Sequence, residues 1–81
     1  MDRYETVILR GLYSAGKVGE SYTNIKTLMH YFPRRERDMK LIKKAVKSLR
    51  KKGLIEPHKK GDCLSLSRSK RVLAQIEKDV L

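Results

Sequence analysis

Two hydrophobic periods meet at Gly53. Upstream, Met39, Ile42, Val46 and Leu49 recur every three or four residues with Leu41 and Ala45 beside them, which is one apolar stripe along a helix. Downstream, Leu54-Ile55-Glu56-Pro57-His58 reads as a short strand. Glycine lets a chain leave a helix that sharply, because it lacks the Cβ that penalises left-handed backbone. A strand must therefore start directly beside the end of a helix, with Leu54 and Ile55 anchored on the core that the helix has just covered. The helix itself begins between Arg34 and Asp38, the latter a good N-cap, and runs to Lys52.

The flanking segments extend this pattern. Asp2 caps a first helix from about Arg3 to Ala15, with Tyr4, Val7, Ile8 and Leu12 inward and Gly16 at its end. After a polar loop from Lys17 to Tyr22, Thr23 caps a second, short helix that buries Ile25, Leu28, Met29 and Phe32 and stops at Pro33. Cys63-Leu64-Ser65-Leu66 reads as a second strand, joined to the first by the turn residues Lys59-Lys60-Gly61-Asp62. Pro57 has no N–H to give to a ladder, which places its strand at an edge. Ser67 then caps a closing helix with Val72, Leu73, Ile76 and Val80 inward. Eighty-one residues allow one small core, so residues 1–81 are expected to form a single domain.

Charge is the second constraint. The chain carries a formal +11, and twelve of its twenty basic residues but only three of its nine acids fall between Arg34 and Lys60. From Lys40 to Lys52 there are seven basic residues and no acid. A solvated helix face normally mixes signs at four-residue spacing, so a run of one sign repels itself unless a polyanion relieves it. At 100° per residue, Arg37, Lys40, Lys44, Lys47 and Lys51 point away from the apolar stripe, with Lys43 and Arg50 flanking them. Such a row can neutralise phosphates on both walls of a major groove.

The order of three helices, a hairpin and a helix, together with the run Ala45 to Pro57, resembles the winged helix-turn-helix superfamily, particularly the small bacterial and archaeal regulators of the MarR and ArsR types. In that superfamily the end of the recognition helix and the start of the wing commonly read as leucine, two charged residues, lysine, glycine, leucine, isoleucine. Leu49-Arg50-Lys51-Lys52-Gly53-Leu54-Ile55 match this, and Cys63 to Ser67 followed by a basic helix look like the second wing strand and closing helix. The resemblance covers most of the chain, most closely from Met39 to Leu73. It implies an α+β, mainly α, fold: three helices, a two-stranded wing hairpin and a C-terminal helix. It also implies a DNA-binding transcriptional regulator, with a recognition helix at about residues 38–52 in the major groove and a wing at 54–66 on the adjacent backbone or minor groove.

Within that reading, Lys40, Lys43, Lys44, Lys47 and Lys51 are phosphate contacts. Arg34, Arg35 and Arg37, whose planar forks suit a guanine edge, are either base readers or backbone clamps. Lys59 and Lys60 at the hairpin tip reach the neighbouring groove, or form only a polar turn. Double-stranded DNA is the expected partner. An RNA- or ribosome-associated role and a protein-interaction module in which the lysines only solubilise are the alternatives. A homodimer through the terminal helices and a monomer both remain open, since Val72, Leu73, Ile76 and Val80 can be used wholly within one core.

Other chemistries lack their residues. His58 and Cys63 are two zinc-type ligands where four are needed, so no metal is expected. No phosphate-binding glycine loop, paired carboxylates or nucleophile with a histidine partner stands out, so neither catalysis nor a cofactor is expected. The strands carry no aromatic residue for stacking single-stranded bases. Acids and arginines interrupt Met1 to Ala15, which argues against a signal peptide or membrane span and for a cytoplasmic, nucleoid-associated protein.

Overall fold

A computed structural model describes all of residues 1–81. Helix α1 spans Arg3–Ser14 and starts with a reciprocal cap. The Asp2 carboxylate accepts from the Glu5 N–H at 2.9 Å, and the Glu5 carboxylate accepts from the Asp2 N–H at 3.4 Å. Glu5, Ile8, Leu9 and Leu12 are buried along it, so the inward face is broader than the one read from sequence and includes Leu9. Gly16, at φ +68°, turns the chain out of the helix.

The segment after the first loop departs from expectation. Thr23–Asn24 forms a short strand, β1, and the following Ile25–Tyr31 is a 3₁₀ helix capped by Asn24, not Thr23. The Asn24 side chain accepts from the Lys26 N–H at 2.8 Å. The seven residues are held by sheet pairing at one end and by Pro33 just beyond the other. The tighter three-residue repeat lines up Ile25, Leu28 and Tyr31 on one ridge, with Leu28 fully buried. A second 3₁₀ turn, Arg34–Glu36, leads to α2, which spans Met39–Lys51 and is capped by Asp38 through the N–H groups of Lys40 and Leu41. Ile42, Ala45, Val46 and Leu49 are its buried face, and Gly53, at φ +73°, makes the sharp exit.

Strands β2 (Ile55–His58) and β3 (Cys63–Leu66) pair antiparallel from Ile55 opposite Leu66 to His58 opposite Cys63. β1 pairs with the other side of β3, Thr23 opposite Leu64 and Asn24 opposite Cys63. The sheet is therefore three-stranded in the order β1-β3-β2, where the sequence indicated two strands, and Pro57 does lie on an edge strand. The loop before β1 is drawn into the sheet as well, through Leu66 N–H to the Lys17 carbonyl at 2.8 Å and Gly19 N–H to the Leu66 carbonyl at 3.0 Å.

Helix α3 spans Lys70–Val80, with Ser69 rather than Ser67 at its N-cap. Ser67 acts one step earlier, its hydroxyl accepting from the Ser69 N–H at 3.2 Å. Ile76 and Val80 are buried in the common core and Val72 and Leu73 pack against it, so this stripe is used within the chain. No helix is long and apolar enough to cross a membrane. The result is a small, mainly helical α+β fold with a three-stranded antiparallel sheet.

One close approach yields a stability test. The Tyr31 ring lies against Gly11 so tightly that a Cβ there would overlap it. Alanine in mid-helix is worth about 1 kcal/mol over glycine, but overpacking costs about 1–3 kcal/mol and here displaces a half-buried ring. Gly11→Ala is expected to lose about 1 kcal/mol net, lowering Tm by about 4–8 °C in thermal unfolding. A higher Tm would mean that the ring moves aside freely.

Candidate nucleic-acid interface

The buried stripe of α2 dictates what the opposite side displays. Lys40, Lys43, Lys44, Lys47, Arg50 and Lys51 are all exposed, and none has a carboxylate within ion-pair distance, since the chain's four salt bridges lie elsewhere. Lys47, Arg50 and Lys51 alone line one shallow notch, and Lys44, Lys47, Ser48 and Lys51 line another along the same helix.

Lys52, the last of the basic run, is different. It turns toward α1, where its ammonium donates to the Glu5 carboxylate at 2.8 Å, beside the Ser48 hydroxyl, which donates to the same oxygen at 3.1 Å. Burial pushes the Glu5 carboxyl up, but the hydrogen bonds from Lys52, the Asp2 backbone and Ser48, with the Lys52 charge, outweigh it and leave Glu5 below the ordinary carboxylate range.

Arg50 belongs to the surface although its position on the wheel reads only as a flank. A Cβ on Gly61 would stand 3.8 Å from its guanidinium, so this side chain extends from the end of α2 to the neighbourhood of the hairpin turn. The return path of the hairpin brings the two together, and helical spacing alone gives no sign of it.

The three arginines before α2 separate. Arg34 and Arg35 are exposed on the 3₁₀ turn, whereas Arg37 is half-buried and its Nε donates to the Phe32 carbonyl at 3.1 Å. The turn is fixed to α1 by the Arg3 guanidinium, which donates twice to Glu36 at 2.7 Å, and by the Tyr4 hydroxyl, which donates to the Glu36 carbonyl at 2.8 Å. The hydrogen bond from Arg3 holds the Glu36 carboxyl below its usual range.

The hairpin tip is equally constrained. β3 is paired on both sides, and the Ile25 N–H donates to the Asp62 carbonyl at 2.9 Å. On β2, Glu56 accepts from the Arg68 backbone at 2.7 Å and from its guanidinium at 2.9 Å, which lowers the Glu56 carboxyl, while Arg68 also reaches Glu20 at 3.0 Å. Of the acids near the basic surface, Glu36 and Glu56 are thus paired locally with arginines, Asp38 is taken up as the N-cap of α2, and Asp62 stands exposed in the hairpin turn. His58 stacks on Tyr22 at 4.5 Å and shares a 3.1 Å hydrogen bond with the buried Ser65 hydroxyl. His58 and Cys63 face each other across the ladder with no third metal-type ligand near them.

Lys59 and Lys60 sit at the tip with φ +52° and +57°, a region that costs a non-glycine residue about 1–2 kcal/mol. Replacing both by glycine is expected to raise stability by about 1 kcal/mol, after glycine's own entropy cost is subtracted. The same change is expected to lower affinity for a polyanion, by about eightfold at 0.1 M salt for each phosphate no longer neutralised. Urea unfolding and a binding titration on one sample check the opposite signs. Unchanged affinity would leave the tip as a polar turn.

Fold and face together describe a small α+β protein with one polycationic helix-and-hairpin surface. In comparisons with known proteins, no family model, no curated protein and no solved structure matches the chain.

Proposed function

We propose that this chain binds double-stranded DNA as a winged helix-turn-helix domain, with α2 as the recognition helix in the major groove and the β2–β3 hairpin as a wing on the adjacent backbone or minor groove. The carrying observation is the set of six cations on α2 without acidic partners, the last of them, Arg50, close to the hairpin turn at Gly61. Packing like charges on one face destabilises a free protein, and a polyanion reverses the sign of that contribution. A helix of about 10–12 Å diameter suits the roughly 12 Å major groove of B-form DNA. A role in transcriptional regulation rests on the resemblance of the Leu49–Ile55 junction and the element order.

Groove width separates DNA from RNA, because the major groove of A-form RNA is too narrow for a helix. In fluorescence anisotropy at 0.1 M salt, a DNA duplex is expected to bind about tenfold or more tighter than an RNA duplex of the same sequence. Equal affinity would favour the RNA-associated reading, and no binding to either would favour a protein-interaction module.

A further inference from the structure

We infer that the grip on duplex DNA is independent of base sequence, which narrows the regulatory role proposed above to one exerted through occupancy of DNA at large rather than at a chosen site. The inference rests on the duplex-binding reading above and concerns what that surface can distinguish. Sequence is read by side chains that present a donor–acceptor pattern to base edges, chiefly arginine or lysine on guanine and asparagine or glutamine on adenine, and the arginine fork is the more selective of the two cations because its geometry is fixed. Helix α2 has no asparagine or glutamine. Its one hydroxyl, Ser48, is engaged by Glu5, and the carboxylate at its start, Asp38, is engaged by the backbone of Lys40 and Leu41.

What α2 displays is five exposed lysines and one arginine. A lysine ammonium is a strongly hydrated point charge on a flexible stem, and phosphate oxygens satisfy it in any sequence. Arg50, the only fork on the helix, lies in its last turn against the hairpin, whereas a recognition helix reads bases through its first turns. Arg37, at the reading end, is held by the Phe32 carbonyl, and Arg34 and Arg35, though exposed, lie on the 3₁₀ turn ahead of the Asp38 cap rather than on α2 itself. The hairpin tip adds two lysines and no arginine.

Counting one phosphate for each of the six α2 cations and two tip lysines gives a slope of log K against log salt of about −7. The longest dimension of the protein is 33 Å, which covers about 10 base pairs at roughly 3.4 Å each. A 40-base-pair duplex therefore accommodates about four copies end to end.

The experiment compares three 40-base-pair duplexes, one of A·T pairs only, one of G·C pairs only and one mixed, by fluorescence anisotropy at several salt concentrations, with stoichiometry from analytical ultracentrifugation. The expected result is affinities within about fivefold, a slope near −7 and several copies per duplex. A preference of about a hundredfold or more for one duplex, or saturation at a single copy, overturns sequence independence while leaving duplex binding intact. Failure to bind all three overturns both, and the DNA–RNA comparison shows that outcome independently.

Discussion

Changing Lys40, Lys44 and Lys47 together to alanine is expected to weaken duplex binding about 500-fold at 0.1 M salt and to reduce the salt slope by about 2.7. Both figures follow from about 0.9 counterions released per phosphate neutralised. The loss is expected to shrink as salt rises and to vanish near 1 M. Folding is not at risk, because all three side chains are exposed and none makes an ion pair; relief of like-charge repulsion is expected to leave Tm unchanged or slightly higher. The informative control is a second triple of equal charge, Lys70, Arg71 and Lys78 to alanine, on exposed positions of α3. It removes the same net charge from another surface and is expected to cost less than about tenfold. Equal losses in both would mean that overall charge, not the α2 face, sets the affinity.

The parts of this structure that are legible in the sequence are those decided locally. Asp38 caps α2 because a short carboxylate reaches the N–H groups two and three residues on, and Gly53 ends it because only the backbone at that position has to turn left-handed. The outer face of α2 follows from the same spacing, since whatever opposes Ile42 and Leu49 must be exposed. Strand β1 is not legible in this way. Two residues, Thr23 and Asn24, carry no period, and their pairing is decided by Leu64 and Cys63 some forty positions later. The 3₁₀ helix is hidden for a related reason, because Ile25, Leu28 and Met29 satisfy an α-helical pattern equally well.

Single charged residues are the hardest to place. Glu5 is one of the acids that interrupt Met1 to Ala15, and only the crossing of α1 and α2 puts Ser48 and Lys52 over it. Lys52 reads as one more member of a basic run, yet it is the member with an acidic partner. Arg50 reads as a flank, and the return of the hairpin brings Gly61 close to its guanidinium. In each case the deciding neighbour comes from another element, so composition locates the basic surface and the fold decides which residues belong to it.

Lys52 is where these distinctions have their largest effect on stability. The Glu5 side chain is only 6% exposed whereas that of Lys52 is 45% exposed, so the two ends of this ion pair are not equivalent. Removing Glu5 would leave an ammonium that can turn to solvent. Removing Lys52 leaves a buried carboxylate with the Asp2 backbone and Ser48 as its remaining donors. Lys52→Ala is accordingly expected to cost about 2 kcal/mol at pH 7, toward the low side for a stranded buried charge because water can enter where the half-exposed ammonium was.

The pH dependence carries a sign. In the native protein the Glu5 carboxyl lies below its unfolded value, so its contribution is fully present above the ordinary carboxylate pKa of about 4.3 and is lost as pH falls through the lower folded value. Without Lys52 the balance shifts toward burial, which raises the carboxyl, so the variant is penalised most when Glu5 is ionised. The difference between the two proteins in urea unfolding is therefore expected to be large at pH 7 and less than half as large at pH 3. Duplex affinity of the folded variant is expected to stay within about eightfold of the original, the value of one neutralised phosphate at 0.1 M salt, and to fall by less than it does for Lys47→Ala or Lys51→Ala. A Lys52→Ala protein of unchanged stability that binds DNA as poorly as Lys51→Ala would instead place Lys52 on the binding face and leave Glu5 without the partner that lowers its pKa.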